Sequence, residues 1–462
     1  MTKKAYFIGI GGIGMSAIAR YYKHEGYEVA GYDKTPSDLT VELENEGINI
    51  HFDDCAANIP EQFGHKDTLV VYTPAIPDNS VELSYFRAKG NEPVKRSAVL
   101  GMIAKDKKVL AVAGTHGKTT TSTLLAHLLS IASDGCTAFL GGISKNYNSN
   151  LILAKNNVMV AEADEYDRSF LRLFPHIAIV TAADADHLDI YGTEKEMKKS
   201  FGDFVSQIDS NGALILKKGT EIPLEKLSCK IYSYSYNDET TDFYAFNIAL
   251  KQGFYKFDIH TPMGVIDRCT LGLPGWVNIE NAVAAVAAAI LAGADKDKLG
   301  TALCSFSGVK RRFDVRLNTP VHVYIDDYAH HPEELRASIT SVKQMFPGRK
   351  VLGIFQPHLY SRTRDFVADF AESLSLLDEL ILLDIYPARE LPIEGVTSEI
   401  IFDKVQLANK KMCSKTELLN LLHDADIDVL MTLGAGDIDR FVEPITELLK
   451  KNMILRLKYD NL

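Results

Sequence analysis

The most specific chemical signal in the sequence is a glycine-rich turn within the segment VLAVAGTHGKTTT. A buried strand is predicted to end at this turn, and a helix to begin just after it. Glycines let backbone N–H groups approach phosphate oxygens, and the helix N-terminus adds partial positive charge. Lys118 can neutralise β- and γ-phosphates, and Thr119 or Thr120 can ligate Mg²⁺. We therefore predict an ATP site at Gly114, Thr115, His116, Gly117, Lys118, Thr119 and Thr120.

Val112 stands where the strict template for such a loop has glycine, so this loop is a variant. The alternative is an ordinary strand–turn–helix with an incidental lysine. The ordered combination of strand, paired glycines, lysine and threonine favours the phosphate site.

Acidic side chains end the next two predicted strands. Glu162 lies near the end of the segment VMVAEAD, Asp184 is the last residue of HIAIVTAAD, and His187 follows three residues later. Because the carboxyl ends of parallel strands face the ligand crevice, these carboxylates are candidate ligands of Mg²⁺ beside the phosphate loop. His187 is a further candidate ligand, although a lone histidine more often packs or caps. The predicted metal site comprises Thr119, Glu162 and His187.

A second glycine loop, Gly9-x-Gly11-Gly12-x-Gly14, follows the first predicted strand. Asp33 lies about 20 residues further on, as in dinucleotide-binding folds. The pattern requires a diphosphate at a helix N-terminus, and NAD, FAD or a UDP-sugar would each satisfy it. The predicted diphosphate site comprises Gly11, Gly12, Ile13, Gly14 and Asp33.

Histidines and arginines cluster at two strand ends near the C-terminus. The segment DDYAHHPEE ends one predicted strand, and QPHLYSRTR ends the next. Two neighbouring strands that both end in such residues predict a polar pocket suited to a carboxylate. The candidates are Asp326, Asp327, His330, His331, His358, Arg362 and Arg364, preceded by the basic run Lys310, Arg311 and Arg312.

The elements that position these residues read as three α/β blocks, because short apolar runs alternate with helix-length segments. We predict a Rossmann-like domain over residues 1–106 and a P-loop ATPase-like domain over 107–316. A second Rossmann-like domain is predicted over 317–462. Between about residues 229 and 271, four short strands predict an antiparallel meander added to the central domain.

Length and charge agree with this organisation. A chain of 462 residues suggests roughly three domains. The net charge of −11 argues against non-specific nucleic-acid binding. Glycines interrupt the apolar N-terminal stretch, so it reads as a strand and turn rather than a signal peptide. We predict a cytoplasmic protein that binds neither nucleic acid nor membrane.

These motifs together resemble the Mur ligase family over essentially the whole chain. The match comprises the segments GIGGIGMSAIA, AGTHGKTTT, EADEYDRSF, DHLDIYG, RRFD, DDYAHHPEE and QPHLYSRTRDF, with Asn278 and Asn281. The closest likeness is to members that join L-alanine to UDP-N-acetylmuramate in peptidoglycan precursor synthesis, and hence to cell-wall formation, cell shape and division. The resemblance implies that ATP activates the lactoyl carboxylate as an acyl phosphate, which the amine of L-alanine then attacks.

The resemblance also implies roles for individual residues. The N-terminal domain would hold UDP-N-acetylmuramate, the central domain ATP and Mg²⁺, and the C-terminal domain the amino acid. Asn281 would contact adenine, Arg312 the phosphates and Asp327 the ribose. The alanine site would be lined by Tyr328, His330 and Arg362, and the catalytic residues would be Lys118, His187, Arg312 and His330.

Three alternatives stay open. A related ligase could attach a recycled murein peptide to the same sugar nucleotide. The first glycine loop and Asp33 also fit an NAD-dependent oxidoreductase, which leaves the Lys118 turn unexplained. A non-catalytic UDP-sugar sensor is the third. We expect a monomer or a weak homodimer.

Overall fold

The described chain consists of mainly parallel sheets with helices between most successive strands, which confirms the predicted α/β class. The computed structural model describes residues 3–185, 188–251, 253–388, 390–423 and 425–459. Two compact units are present. The first comprises Met1–Ala249, Lys256–Gly272 and Ile279–Ser307, and the second Leu250–Tyr255, Leu273–Asn278 and Gly308–Leu462.

The first sheet follows the Rossmann-like prediction. Its strands are β1 (Lys4–Ile8), β2 (Glu28–Tyr32), β3 (Asn49–His51), β4 (Leu69–Tyr72) and β5 (Val94–Lys95), and its helices are α1 (Ile13–His24), α2 (Asp38–Asn45), α3 (Val81–Ala88) and α4 (Arg96–Ala104). The strands pair in parallel in the order β3–β2–β1–β4–β5. Residues 5 to 8 of β1 are fully buried, as expected for a strand covered by helices on both faces.

The second sheet belongs to the same unit for most of its length. Its strands are β6 (Lys108–Ala113), β7 (Thr137–Ser144), β8 (Ser149–Ile152), β9 (Val158–Glu162), β10 (Ile177–Val180), β11 (Ala213–Lys217), β12 (Lys230–Ser235), β13 (Phe243–Lys251), β14 (Phe254–His260) and β15 (Ile266–Thr270). Its helices are α5 (Lys118–Ala132), α6 (Leu188–Tyr191), α7 (Glu194–Val205), α8 (Trp276–Leu291) and α9 (Lys296–Ser305). The strand order is β15–β14–β13–β12–β11–β10–β6–β9–β7–β8.

The predicted meander continues this sheet at one edge, but only part of it is antiparallel. β14 and β15 pair antiparallel, whereas β12 pairs in parallel with both β11 and β13. The parallel pairing of β12 with β13 depends on a turn that side-chain hydrogen bonds hold in place. The Ser235 hydroxyl accepts from the Asp238 N–H at 2.8 Å, and the Thr241 hydroxyl donates to the Asp238 carbonyl at 2.7 Å. The turn returns the chain so that β13 starts beside the end of β12.

The third sheet lies in the second unit. Its strands are β16 (Asp314–Asn318), β17 (Val323–Asp327), β18 (Val351–Phe355), β19 (Glu379–Leu382), β20 (Lys410–Met412) and β21 (Val429–Leu433). Its helices are α10 (Pro332–Met345), α11 (Tyr360–Asp365), α12 (Val367–Leu374), α13 (Glu399–Phe402), α14 (Leu418–His423) and α15 (Val442–Tyr459). The order is β16–β17–β21–β18–β19–β20, parallel except for β16.

The helices of the described residues include no candidate for a membrane span. Across the part of the chain that the structure describes, none combines the length and the apolar character that a bilayer crossing requires. The domain boundaries at residues 106 and 316 stay predictions.

Candidate active site

The lysine-bearing turn has the predicted strand–loop–helix geometry. β6 ends at Ala113, and α5 begins at Lys118. Gly114 has φ +131° and Gly117 has φ +76°, which side chains rarely allow. A Cβ at Gly114 would lie 2.1 Å from the Thr181 hydroxyl oxygen. Gly114 is therefore required for the loop to pack against Thr181, which directly follows β10.

The Lys118 ammonium is held inside this loop. Its Nζ donates to the Gly114 carbonyl at 2.5 Å and to Glu165 Oε1 at 2.8 Å. Burial alone would lower the pKa of Lys118, but the carboxylates of Glu165, Glu162 and Asp164 raise it overall. The lysine is therefore positively charged and points into its own loop.

Two hard oxygen donors meet beside Lys118. The Thr119 hydroxyl lies 3.1 Å from Glu162 Oε1, and Glu162 Oε2 accepts from the Gly141 N–H at 3.1 Å. Mg²⁺ prefers such oxygens and completes its shell with water and phosphate, so this donor set fits the ion. No group of three His, Cys, Asp or Glu side chains suited to a metal occurs among the described residues. The predicted ligand His187 lies outside those residues.

Four further residues of the ATP prediction lie in the turn or beside it. Thr115 Oγ1 accepts from the Asp184 N–H at 3.3 Å, and His116 Nε2 lies 3.6 Å from Asp184 Oδ2. Asn281 accepts from the Thr121 hydroxyl at 3.2 Å and packs on Gly117, where a Cβ would lie 2.7 Å from Asn281 Oδ1. The structure thus brings Asn281 to the turn. Thr120 is buried on the first turn of α5.

The first glycine loop also joins a strand to a helix. α1 begins at Ile13 with Gly12 as its N-cap. Asp33, at the end of β2, accepts from the Gly11 N–H at 2.7 Å. The acidic residue that the sequence placed in the diphosphate site therefore contacts the loop itself.

A polar cluster fixes α1 to the second sheet. The buried Asn150 on β8 donates to the Ile13 carbonyl at 2.6 Å and lies 2.8 Å from the Ser16 hydroxyl. Arg20 donates to Asn150 Oδ1 at 2.5 Å and also pairs with Glu46 at 2.6 Å. Because Ser16, Arg20 and Asn150 are buried and hydrogen-bonded within the cluster, they hold the first glycine loop in one place on the second sheet.

One cavity extends from the first glycine loop to Glu162, at the end of β9. Its volume is about 290 Å³, and its walls include the first glycine loop and the Glu162 carboxylate. The lining residues are Gly12, Ile13, Gly14, Met15, Ala17, Ile18, Thr73, Arg96, Leu100, Phe139, Leu140, Gly141, Glu162 and Asp164. A molecule bound at the first loop can therefore extend to the carboxylate beside Lys118.

Sequence reasoning missed Arg96 and Glu165 as site residues. Glu165 lies in the segment EADEYDRSF with Glu162, but nothing in the neighbouring sequence indicates that it pairs with Lys118. Arg96 starts a helix near the predicted domain boundary, where a basic residue is unremarkable. Only the fold places them in the site.

In the second unit, Arg312, Tyr328 and His330 form one contact group. The Arg312 guanidinium lies 4.5 Å from the centre of the Tyr328 ring, and that ring contacts His330 edge-on at 5.3 Å. The imidazole of His330 lies 3.2 Å from Glu334 Oε2. Burial raises the pKa of Asp327, at the end of β17, to about 6 although Ser338 and Arg312 lower it in part.

The predicted alanine pocket is only partly assembled by these contacts. His358 packs edge-on against His330 at 5.8 Å and stacks on Tyr386. Arg362 is buried on α11. Leu359, the N-cap of α11, has φ +71°, a strained value for a residue with a side chain. The structure therefore joins Tyr328 and His330 directly and places Arg362 on the helix that follows His358.

Three family profiles match successive parts of the chain. The Mur ligase family catalytic domain matches residues 4–108, the Mur ligase middle domain 112–289, and the Mur ligase glutamate ligase domain 311–436. The matched segments correspond to the three sheets in turn.

Individual proteins agree with the profiles. A UDP-N-acetylmuramate–L-alanine ligase of Parabacteroides distasonis is 55% identical over 451 residues, which cover 97% of each chain. A solved UDP-N-acetylmuramate–alanine ligase of Thermotoga maritima has a TM-score of 0.83 at 27% identity, covering 97% of this chain and 99% of that one. A murein peptide ligase of Psychrobacter arcticus has a TM-score of 0.72 at 22% identity, covering 97% and 98%, and shows the fold alone. The chain belongs to the Mur ligase family.

Proposed function

We propose that this protein joins L-alanine to the lactoyl carboxylate of UDP-N-acetylmuramate, with ATP as co-substrate, in peptidoglycan precursor synthesis. The cavity between the first glycine loop and Glu162 carries the proposal. It lets a substrate anchored by its diphosphate present a carboxylate to a phosphoryl group held at Lys118. The relatives named for this reaction, which align over 97% of the chain, support it.

The first step transfers the γ-phosphoryl group. A lactoyl carboxylate oxygen attacks the γ-phosphorus, the bond to the bridging oxygen breaks, and ADP leaves. Lys118 donates to the phosphate oxygens, while Glu165 and the Gly114 carbonyl orient its ammonium. Thr119, Glu162 and His187 would hold Mg²⁺, which neutralises charge on the phosphate oxygens. Asn281 contacts adenine, and Arg312 and Asp327 contact the phosphates and the ribose.

The second step forms the amide. The neutral amine of L-alanine attacks the acyl phosphate carbon, phosphate departs with the electron pair of the broken bond, and the departing phosphate takes up the proton that the amine loses. Tyr328, His330 and Arg362 bind the amino acid, with Arg362 opposite its carboxylate. An acyl phosphate hydrolyses in water, so the site must exclude solvent during both steps.

The roles divide between segments as the sequence suggested. We assign sugar-nucleotide binding to residues 1–106, ATP binding to 107–316 and amino-acid binding to 317–462. We further propose a cytoplasmic location and a monomeric or weakly dimeric state. Family membership favours ligation over oxidoreduction and over a non-catalytic sensor.

Phosphate release tests the proposal directly. Release should require ATP, Mg²⁺, UDP-N-acetylmuramate and L-alanine together, and omission of any one should abolish it. Substitution of L-alanyl-γ-D-glutamyl-meso-diaminopimelate for L-alanine should give little product. Preferential use of the peptide would identify a murein peptide ligase instead. Lys118→Ala should remove turnover, whereas the exposed control Lys105→Ala should not.

A further inference from the structure

Arg96 lies directly against the first glycine loop. It is the first residue of α4, and a Cβ at Gly14 would lie 2.7 Å from Arg96 Nη1. Gly14 is therefore needed so that the guanidinium can approach the N-terminal turn of α1. A guanidinium at that position adds a full positive charge to the partial charge of the helix terminus.

The charge balance of the cavity makes Arg96 distinctive. Among the described lining residues, it is the one cationic side chain, and the cavity also contains the carboxylates of Glu162 and Asp164. A diphosphate bound there would be repelled by both carboxylates. A cation between the diphosphate and the carboxylates offsets that repulsion, and arginine can donate two parallel hydrogen bonds to a phosphate.

The present partner of Arg96 binds it weakly. Arg96 Nη2 lies 3.4 Å from Asp164 Oδ2, and the two side chains are 22% and 39% exposed. A long, partly solvated ion pair contributes little stability. A guanidinium has five N–H donors, so one contact leaves most of them for a ligand.

We propose that Arg96 binds the diphosphate of the nucleotide sugar and that Asp164 is its counter-ion when the diphosphate is absent. The inference rests on the proposed function, because it takes a UDP-sugar as the ligand of the first loop. The neighbouring Lys95 has no such role. It pairs with Asp167 at 3.2 Å, both side chains are more than a third exposed at 49% and 37%, and Lys95 does not line the cavity.

Binding of UDP, UDP-N-acetylglucosamine and uridine to the full-length protein, measured by calorimetry, tests the assignment. Arg96→Met should weaken UDP and UDP-N-acetylglucosamine by about ten- to a hundred-fold, as expected for lost bonds to a charged group. Arg96→Lys should recover part of the loss, and uridine affinity should not change. Lys95→Met is the matched control, since it removes the same charge one residue away and should leave all three affinities intact.

Each other outcome overturns the assignment. Unchanged UDP affinity in Arg96→Met would remove the residue from the diphosphate site, and an equal loss for uridine would indicate a structural role. A loss confined to UDP-N-acetylglucosamine would place the guanidinium on the sugar instead. Because these titrations need neither ATP nor L-alanine, Arg96-dependent UDP binding without turnover would overturn the proposed reaction alone.

Discussion

Replacement of Glu82 by glutamine should stabilise the protein in alkaline solution, because the buried Glu82 carboxyl must lose its proton there and glutamine carries no charge. Glu82 Oε2 accepts from the Tyr6 hydroxyl at 2.8 Å, and Oε1 lies 3.1 Å from His51 Nε2. His51 Nδ1 lies 3.1 Å from the Asp53 carbonyl oxygen, so Nδ1 carries the hydrogen and Nε2 is an acceptor. The Tyr6 hydroxyl also lies 2.8 Å from His51 Nε2. Among the described residues, the buried Glu82 Oε1 has no hydrogen-bond partner, so ionisation would leave a charged oxygen unsatisfied there.

The pKa shifts set the size and sign of the effect. Burial raises the pKa of Glu82 from 4.5 to about 8, and burial lowers the pKa of His51. Between pH 4.5 and 8, Glu82 keeps its proton in the folded chain and releases it in the unfolded chain. The free energy of unfolding is therefore highest below pH 4.5 and decreases as the pH rises towards 8. The shift corresponds to about 5 kcal/mol at its limit. We expect about 3 kcal/mol, because His51 is 18% exposed and admits water to the cluster.

Glutamine mimics the protonated carboxyl, since its amide can donate to His51 and accept from Tyr6. Hydrogen exchange of the β1 amides reports the local stability without assuming one unfolding transition for a chain of several modules. At pH 5 the Glu82→Gln variant and the unchanged protein should exchange alike. At pH 9 the variant should be more protected by about 3 kcal/mol, or roughly 100-fold in the opening equilibrium. The exposed Glu61→Gln serves as the control at each pH.

One result would refute this reasoning. If Glu82→Gln were less protected than the unchanged protein at every pH from 6 to 9, Glu82 would be an ionised partner of a protonated His51. The glutamine would then have removed an attractive buried charge rather than an unfavourable one.

Three further substitutions probe the site. Lys118→Met should lower turnover by about 100- to 1,000-fold in steady-state assays, as for other lost electrostatic donors, and unchanged turnover would contradict the phosphate role. Asn150→Leu should destabilise the first unit by about 3 kcal/mol in chemical denaturation, because Arg20 loses a buried acceptor. It should also raise the KM for UDP-N-acetylmuramate more than that for ATP. Glu162→Gln should raise the Mg²⁺ concentration needed for half-maximal activity, and an unaltered requirement would exclude it as a ligand.

Local patterns predicted the parts of the site that local chemistry determines. Both glycine loops lie between a strand and a helix, as predicted. In the loop before α5, Gly114 and Gly117 have positive φ angles that other residues rarely adopt, so the glycines themselves indicate the turn. Glu162 ends its strand beside Thr119, since parallel strands align their carboxyl ends. Seven strands were not predicted, because they carry too few residues or too mixed a pattern: β3, β5, β7, β8, β11, β16 and β20.

What the sequence did not reveal depends on contacts between distant segments. Glu165 meets Lys118 across 47 positions, and Asn150 meets Ile13 across 137. Such pairs leave no periodic signature, because each partner is an ordinary residue in its own segment. The parallel pairing of β12 and β13 was missed for a related reason. A short turn usually predicts a hairpin, and only the turn's own hydrogen bonds show otherwise.

The groups that we propose to bind phosphate in the first unit share one electrostatic arrangement. Asp33 accepts from the glycine-loop amide, Asp164 pairs with Arg96, and Glu165 pairs with Lys118. When a nucleotide binds to these groups, its phosphate replaces a carboxylate as their partner. Only the difference in free energy between the new and the old interactions then contributes to affinity. A simple monovalent anion gains little from that exchange. A phosphate brings several acceptor oxygens and more charge, so the internal carboxylates favour phosphorylated ligands over the other anions of the cell.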